Sequence, residues 1–280
     1  MVKIIVDSTF DTASAVKERL LVAPLTLHFG EEAYIDGVTI NHKMFYEKLI
    51  ESEVLPTTSQ ATPAVFAEAF AKVAAGDSAV VLTVSGKLSG TYQSAVIAAQ
   101  DFENIYVVDS DSVTIGAGVL AELALRLADS GMEARKIVET LEAEKKKIQI
   151  IAMVDTLEYL KKGGRISKAV AFAGSILNMK PVLSVVEGEI QVLGKARGSK
   201  QGNNLLVTEI EKVGGVDFEK PVLLGYTGLT DTLLQKYMED SRALWASSKT
   251  ELNTTAIGSV IGTHVGPGAI AAAFFKKENV

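Results

Sequence analysis

A small, hydroxyl-rich segment in the first third of the chain has the residue types of an anion site. Ser85, Ser89 and Thr91 supply three hydroxyl groups within seven residues, and Gly86 and Gly90 let a ligand approach the backbone. The apolar run AVVLTV precedes it and an alanine-rich run follows, which predicts a buried strand leading into a helix. The first turn of a helix has unpaired N–H groups and a partial positive charge, so a carboxylate or phosphate is the expected ligand. A simple helix cap at Ser89 is the alternative.

A second hydroxyl cluster, PTTSQATP at positions 56–63, also stands just before a predicted helix. Thr62 followed by Pro63 is typical of a helix start. Loops at the carboxyl ends of parallel strands converge on one crevice, so Thr58 and Ser59 could contact the same anion as Ser89. The cluster is also compatible with a turn and a capped helix that bind nothing.

Two ionisable residues among small neighbours are further candidates. His264 lies in GTHVGPG at positions 262–268, where glycine and proline predict a loop. Its ring could bind the ligand or serve a structural purpose. Arg165 follows Gly163 and Gly164, and is either a surface residue or a cation close to the ligand.

The sequence lacks the motifs of several other classes of functional site. The segment IGAGVLA (115–121) has the spacing of a dinucleotide fingerprint, but six residues separate it from the preceding predicted strand, whereas the fingerprint needs its glycines at the turn. P-loop and nucleophile-elbow spacings are absent. There is no cysteine, and the three histidines, His28, His42 and His264, are scattered, so we expect neither a metal site nor a cofactor.

Composition and charge limit the partners and the cellular compartment that we expect. The net charge of −6, with Lys145–Lys147 as the one dense basic cluster, argues against nucleic acid as a partner. The N-terminal residues run directly into a strand pattern, without signal-peptide features. The uncharged stretch Ala256–Phe275 is interrupted by glycine and proline, so it predicts a strand, a loop and a helix rather than a membrane span. We therefore expect a cytoplasmic protein.

The elements that position these residues divide the chain into two predicted domains. Residues 1–154 predict an α/β domain with a three-layer architecture, in which a parallel sheet lies between helices. Its predicted strands are Ile4–Val6, Val80–Val84, Ile105–Val108 and Ile150–Val154. Residues 155–280 predict a second, α+β domain, with a hairpin turn at Glu187–Glu189 and a helix over 167–178.

Seven short segments follow one another over nearly the whole chain: VDST (6–9), TSQ (58–60), LSGTYQSA (88–95), VDS (108–110), TLEYLKKGGRI (156–166), KP (180–181) and GTHVGPG (262–268). In this order and spacing, the chain resembles the DegV family of bacterial lipid-binding proteins. Gly86 stands where members often carry a second serine, and Ala61–Thr62 replaces a common Pro–Ser. Fewer hydroxyl donors are therefore expected here than in such members.

This resemblance implies a carrier that holds one long-chain fatty acid and has no catalytic residues, metal or cofactor of its own. The carboxylate would be bound at Thr58, Ser59, Ser89, Gly90 and His264, with Arg165 contacting either the ligand or a partner. Some members present the acid to a separate ATP-dependent fatty acid kinase, which forms an acyl phosphate for phospholipid synthesis. Transient contact with a membrane, without a span, fits such a carrier.

The acyl tail is expected to be buried mainly by the second domain. There, Phe172, Ile176 and Leu177 share one face of the predicted helix over 167–178. A small-molecule phosphotransferase or hydrolase that uses the same anion-binding loops remains the alternative, because a general base distant in sequence could converge on Ser89 in space.

Overall fold

The computed structural model describes residues 1–166, 179–249 and 251–278. Its strands are β1 (Val2–Asp7), β2 (Leu21–Ala23), β3 (Thr26–Phe29), β4 (Glu32–Ile35), β5 (Thr57–Ser59), β6 (Ser78–Thr83), β7 (Ile105–Asp109), β8 (Ile148–Met153), β9 (Met179–Val186), β10 (Glu189–Arg197), β11 (Leu223–Tyr226), β12 (Asn253–Ala256) and β13 (Ile270–Phe275). Its α-helices are α1 (Ser14–Lys17), α2 (His42–Glu51), α3 (Pro63–Phe70), α4 (Thr91–Ala99), α5 (Thr114–Asp129), α6 (Ala134–Glu144), α7 (Glu158–Lys162), α8 (Gly198–Lys212), α9 (Thr232–Asp240), α10 (Arg242–Trp245) and α11 (Ser259–Val265). The predicted helix over 167–178, with Phe172, Ile176 and Leu177, lies outside the described residues.

The first sheet is parallel, as predicted, with the strand order β2-β1-β6-β7. Successive side chains of a strand point to opposite faces. Ile4 and Leu82 accordingly pack in the cluster with α5 and α6, whereas Ile5 and Val81 pack with Phe66 of α3. The predicted three-layer architecture is confirmed.

The second sheet has six strands in the order β10-β9-β8-β13-β11-β12. The prediction that Ile150–Val154 completes the parallel sheet is wrong, because β8 pairs antiparallel with β13 and β9. An apolar run such as IQIIAM fits a central strand of either sheet, and the strands that it pairs with decide which sheet it joins. The division of the chain into two domains between residues 154 and 155 stays a prediction. Strand β8, which precedes this boundary, pairs with β9 and β13, which follow it.

Helix α5 lies between the two sheets and joins them. It contacts β1 and β6 on one side and β8, β11 and β13 on the other. Ile115, Ala117 and Leu120 of this helix are fully buried. Because one cluster of buried residues includes Ile4 of β1 together with Ile150 of β8, the two sheets share a core.

The segment after residue 256 is organised differently from the prediction. The expected strand, loop and helix are instead a helix, α11, followed by a strand, β13. All six residues of β13, IAAAFF, are buried between β8 and β11, which explains how an alanine-rich run becomes a strand. His264 therefore lies in a helix rather than in a loop. No helix in the described ranges is long and apolar enough to cross a membrane.

The predicted hairpin is confirmed. Strands β9 and β10 are antiparallel and a two-residue turn, Glu187–Gly188, connects them. Both turn residues have positive φ, at 49° and 77°. This is the backbone that tight hairpins favour, and it suits glycine at the second position.

Candidate functional site

A cavity of about 360 Å³ lies between the two sheets. Its lining includes Thr9, Val84 and Val113, which follow β1, β6 and β7, so it opens at the carboxyl ends of the parallel strands. Other parts of the wall come from β8, β9, β13 and α11. The volume falls within the range of roughly 300–1,000 Å³ typical of ligand pockets. All six sequence-predicted residues line it: Thr58, Ser59, Ser89, Gly90, Arg165 and His264.

His264 and Thr58 meet at one end of this cavity. His264 Nε2 of α11 lies 3.0 Å from Thr58 Oγ1 of β5. The other ring nitrogen, Nδ1, is buried without a hydrogen-bond partner among the described residues. It faces Gly163, where an added Cβ would lie 2.3 Å from Nδ1. Glycine at this position thus lets the end of α7 pack directly on the imidazole.

Burial keeps His264 neutral at pH 7. Loss of hydration, with a smaller contribution from the Arg165 charge, lowers the pKa of His264 from 6.5 to about 4. The ring can therefore serve as a neutral hydrogen-bonding group beside Thr58, but it does not bring a positive charge to the site.

Ser59 differs from its neighbour Thr58. The Ser59 hydroxyl lies 2.9 Å from His28 Nε2 on β3, at the exposed side of the three-stranded sheet β4-β3-β5. Adjacent residues of a strand point to opposite faces, which explains why Thr58 reaches His264 and Ser59 does not. The segment 56–63, predicted to be a loop, contains a strand at Thr57–Ser59, and nothing in the sequence indicates His28 as a partner of Ser59.

The segment before α4 lies next to β5. Gly90 is the residue before α4, and an added Cβ there would lie 2.1 Å from Gln60 Oε1. Gln60 Nε2 donates to Ser94 Oγ at 2.8 Å, which ties the end of β5 to α4. Ser89 Oγ lies 2.9 Å from Thr91 Oγ1. The two hydroxyl-rich segments predicted from the sequence are thus adjacent.

Ser85 is not a cavity hydroxyl, contrary to its expected place in the anion loop. It is fully buried, its Oγ donates to the backbone oxygen of Gly188 at 2.8 Å, and it accepts from Lys87 N at 3.2 Å. Its contact fastens the β9–β10 turn to the segment that carries Ser89. The sequence alone does not indicate this partner, which is distant along the chain.

Arg165 lies at the same end of the cavity. Its Nε donates to the backbone oxygen of Leu88 at 3.2 Å, and its Nη1 donates to the backbone oxygen of Gly163 at 2.7 Å. Both acceptors are neutral, and no carboxylate among the described residues pairs with the half-buried guanidinium, so its positive charge is available there to an anion. Arg165 also links the residues next to Ser89 with those next to His264.

The remaining wall is mainly apolar. The aliphatic lining residues are Leu25, Val84, Leu88, Val113, Ile150, Ala152, Val154, Leu160, Leu183, Val185, Ile190, Ile257, Val260, Ile261, Val265, Ala269 and Ala271. Two hydroxyls elsewhere in the lining have buried partners: Thr9 donates to Asp7 at 2.6 Å and Thr114 donates to Asp11 at 2.5 Å. An apolar ligand segment would therefore leave these hydroxyls hydrogen-bonded.

The described residues form no cluster of potential metal ligands, and the IGAGVLA segment does not form a dinucleotide-binding turn. No group of three or more potential ligands gathers in the described parts of the chain. The glycines of IGAGVLA lie in α5 and are packing positions, since an added Cβ would lie 2.4 Å from Ser112 Oγ at Gly116 and 2.0 Å from the backbone oxygen of Asp11 at Gly118.

Known proteins with similar sequences and structures cover almost the whole chain. A family model described as "Uncharacterised protein, DegV family" matches residues 1–277. A DegV domain-containing protein of Caldanaerobacter subterraneus subsp. tengcongensis is 35% identical over 96% of this chain and 97% of its own length. One from Clostridium perfringens is 31% identical over 99% of both chains.

Solved structures agree with this relationship. A DegV family protein from Thermus thermophilus, described by its fatty acid binding, has a TM-score of 0.86 and 31% identity over 98% of this chain and 99% of its own. DegV from Bacillus subtilis, described as a fatty acid binding protein, has a TM-score of 0.84 and 29% identity over 98% and 99%. A stearic acid-binding protein from Eubacterium ventriosum has a TM-score of 0.86 and 26% identity over 99% of both chains. The chain belongs to the DegV family.

Proposed function

We propose that this protein binds one long-chain fatty acid in the cavity between its two sheets. The observation that carries the proposal is the uneven distribution of polar groups along the lining. At one end, His264 contacts Thr58, and Arg165 links the residues next to Ser89 with those next to His264. Aliphatic side chains form most of the remaining lining. A molecule with one anionic group and a long apolar chain matches this arrangement. Fatty acid binding by the structural relatives supports it.

The carboxylate would be held by neutral donors beside one cation. The donors would be the hydroxyls of Thr58 and Ser89 and backbone N–H groups of the first turn of α4, next to Gly90, and Arg165 supplies the charge. Ser59 would stand at the rim of this site, because it lines the cavity while its hydroxyl is directed to His28. A hydrogen bond to a charged group contributes about 1.5–3 kcal/mol, so these contacts would fix the orientation of the acid.

The acyl tail would supply most of the affinity. At about 0.8 kcal/mol per buried CH₂, a chain of about sixteen carbons could contribute roughly 10 kcal/mol before the cost of ordering it. The aliphatic wall between α5, α11 and the six-stranded sheet is the surface that would bury it.

We further propose a cytoplasmic carrier that presents the acid to a separate ATP-dependent kinase. Gly90 and Ser59 are exposed and Ser89 is half-buried, so the carboxylate end of the cavity is the end a second protein can reach. A carboxylate oxygen would attack the γ-phosphorus of ATP, the bond to the bridging oxygen would break, and ADP would leave. The kinase would supply the Mg²⁺ and the charge stabilisation.

The division of labour is tested with purified protein, fatty acid, Mg²⁺ and labelled ATP. We expect no acyl phosphate from this chain alone and acyl phosphate when a fatty acid kinase is added. Robust acyl phosphate formation by the chain alone would favour the phosphotransferase alternative and overturn the carrier role.

The ligand itself is tested by mass spectrometry of a solvent extract of the purified protein. We expect a long-chain fatty acid in about equal amount to the protein, and much less from the Thr58→Val/Ser89→Ala double variant prepared in parallel. Delipidated wild-type protein should take up added palmitic acid again. An extract without fatty acid, together with no uptake of palmitic acid, would contradict the proposed function.

A further inference from the structure

Two alanines lie side by side in one wall of the cavity. Ala152 of β8 and Ala271 of β13 are paired in register on neighbouring antiparallel strands, and both line the cavity. A methyl group is the smallest side chain that still belongs to an apolar wall. The six-stranded sheet therefore leaves space where larger residues on these two strands would fill it.

Strand β8 runs from the α5 side of the cavity towards its carboxylate end. Val154, just beyond β8, packs with Leu160 of α7, the helix whose following residue Gly163 contacts His264. Ile150, at the other end of this stretch, belongs to the cluster around α5. Four residues of strand span about 13 Å, so Ala152 stands about midway along the wall.

Ile150 lines the cavity and packs in the cluster around α5. An added Cβ at Gly116 of α5 would lie 3.4 Å from the Cβ of Ile150. Gly116 has no side chain, so Ile150 lies close to the backbone of the first turn of α5. The Ile150 side chain is therefore the boundary that a long ligand would meet.

We propose that Ala152, Ala271 and Ile150 determine the length of the acyl chain that this protein accepts. The two alanines leave the middle of the tail channel open, and Ile150 ends it. This inference rests on the proposed function, because it assigns the length selectivity of the same cavity.

The expected effect follows from the burial of methylenes. A chain that is one methylene too long for the channel leaves that group unburied or strains the wall. Each methylene lost in this way lowers affinity about fourfold, which corresponds to about 0.8 kcal/mol at 1.4 kcal/mol per tenfold change. Added bulk at the alanines should therefore penalise long acids more than short ones, and a smaller residue at Ile150 should do the opposite.

The test measures the affinities of saturated acids from lauric to arachidic acid for wild type, Ala271→Val and Ile150→Ala. The matched control is Ala272→Val, which adds the same two carbons on the other face of β13, where Ala272 packs with Phe274 away from the cavity. We expect the preferred length to decrease in Ala271→Val, to increase in Ile150→Ala and to stay unchanged in the control. Ala152→Val replaces Ala271→Val if the latter does not fold.

The length assignment and the proposed function can fail separately. If wild type binds no acid of the series, the proposed function fails. A second outcome is that wild type binds the acids, while the folded alanine variant (Ala271→Val or Ala152→Val) and Ile150→Ala both keep the wild-type length profile. In that case only the length assignment is overturned. A shift of equal size in Ala272→Val would also overturn it, because the effect would then not come from the cavity face.

Discussion

The imidazole Nε2 of His264 lies 3.0 Å from the hydroxyl oxygen of Thr58, which joins a helix near the end of the chain to a strand near its beginning. The lowered pKa of His264, about 4, makes this a contact between two neutral groups at pH 7. A hydroxyl has one hydrogen to donate. For Thr58 to donate it to a carboxylate, His264 must be the donor in their own hydrogen bond, with its proton on Nε2.

The neutrality of His264 predicts the pH dependence of fatty acid binding. Between about pH 6 and about pH 8 the ring stays uncharged, because its pKa of about 4 lies well below this range. Affinity should then change equally little in wild type and in His264→Gln, whose amide can still donate to Thr58. Titration of palmitate at several pH values checks this. A steep loss of affinity with rising pH in wild type, absent from the glutamine variant, would identify His264 as a charged ligand instead.

The close approach of Gly163 to His264 predicts coupled mutations. An added Cβ at Gly163 would lie 2.3 Å from His264 Nδ1, so Gly163→Ala should displace the ring and weaken palmitate binding about tenfold or more. In the His264→Ala background the clash is gone, and Gly163→Ala should then have little further effect. Palmitate titrations of both single variants and the double variant measure this coupling. Additive losses would mean that Gly163 acts independently of the imidazole.

Asp11 predicts a pH-dependent stability. Burial raises the pKa of Asp11 from 3.8 to about 7, while its hydrogen bonds from Thr114 and Gly258 partly oppose the shift. Between these two values the folded protein holds a proton that the unfolded chain has released. The contribution of Asp11 to stability therefore decreases as the pH rises from about 4 to about 7.

Asp11→Asn should remove this contribution. Relative to wild type, the variant should gain unfolding free energy as the pH rises through this range, by up to about 4 kcal/mol at about 1.4 kcal/mol per pKa unit. Denaturant unfolding at several pH values measures the difference in unfolding free energy between the variant and wild type. Because both proteins contain His264, its opposite effect on stability cancels in this difference. The control is Asp129→Asn, an exposed partner of Arg19. Equal pH profiles for Asp11→Asn and wild type would contradict the assignment.

The residues of the candidate site were more predictable than the elements that carry them. Ser89, Gly90 and Thr58 could be selected because hydroxyls and glycines before a helix have a direct chemical meaning. His264 lines the cavity, but the surrounding glycines suggest a loop, whereas the residue lies in α11. Gly262 is in fact a packing position inside α11, where an added Cβ would lie 2.5 Å from the Tyr46 hydroxyl.

Long-range pairing explains most of the errors. The strand at Ile150 looks like those of the parallel sheet, and only its antiparallel partner β13 places it in the other sheet. That partner is alanine-rich, which favours a helix by local propensity, but burial between two strands overrides this preference. Ser85 was misplaced for the same reason, because its hydroxyl is used by Gly188 of a distant hairpin.

The carboxylate site is tested most directly by titrating wild type, Ser89→Ala and Thr58→Val with palmitic acid and with hexadecanol, which has the same chain and no charge. We expect each variant to lose about 10- to 150-fold in affinity for the acid, equivalent to about 1.5–3 kcal/mol, and much less for the alcohol. Unchanged affinity for palmitic acid in both variants, or equal losses for acid and alcohol, would contradict it.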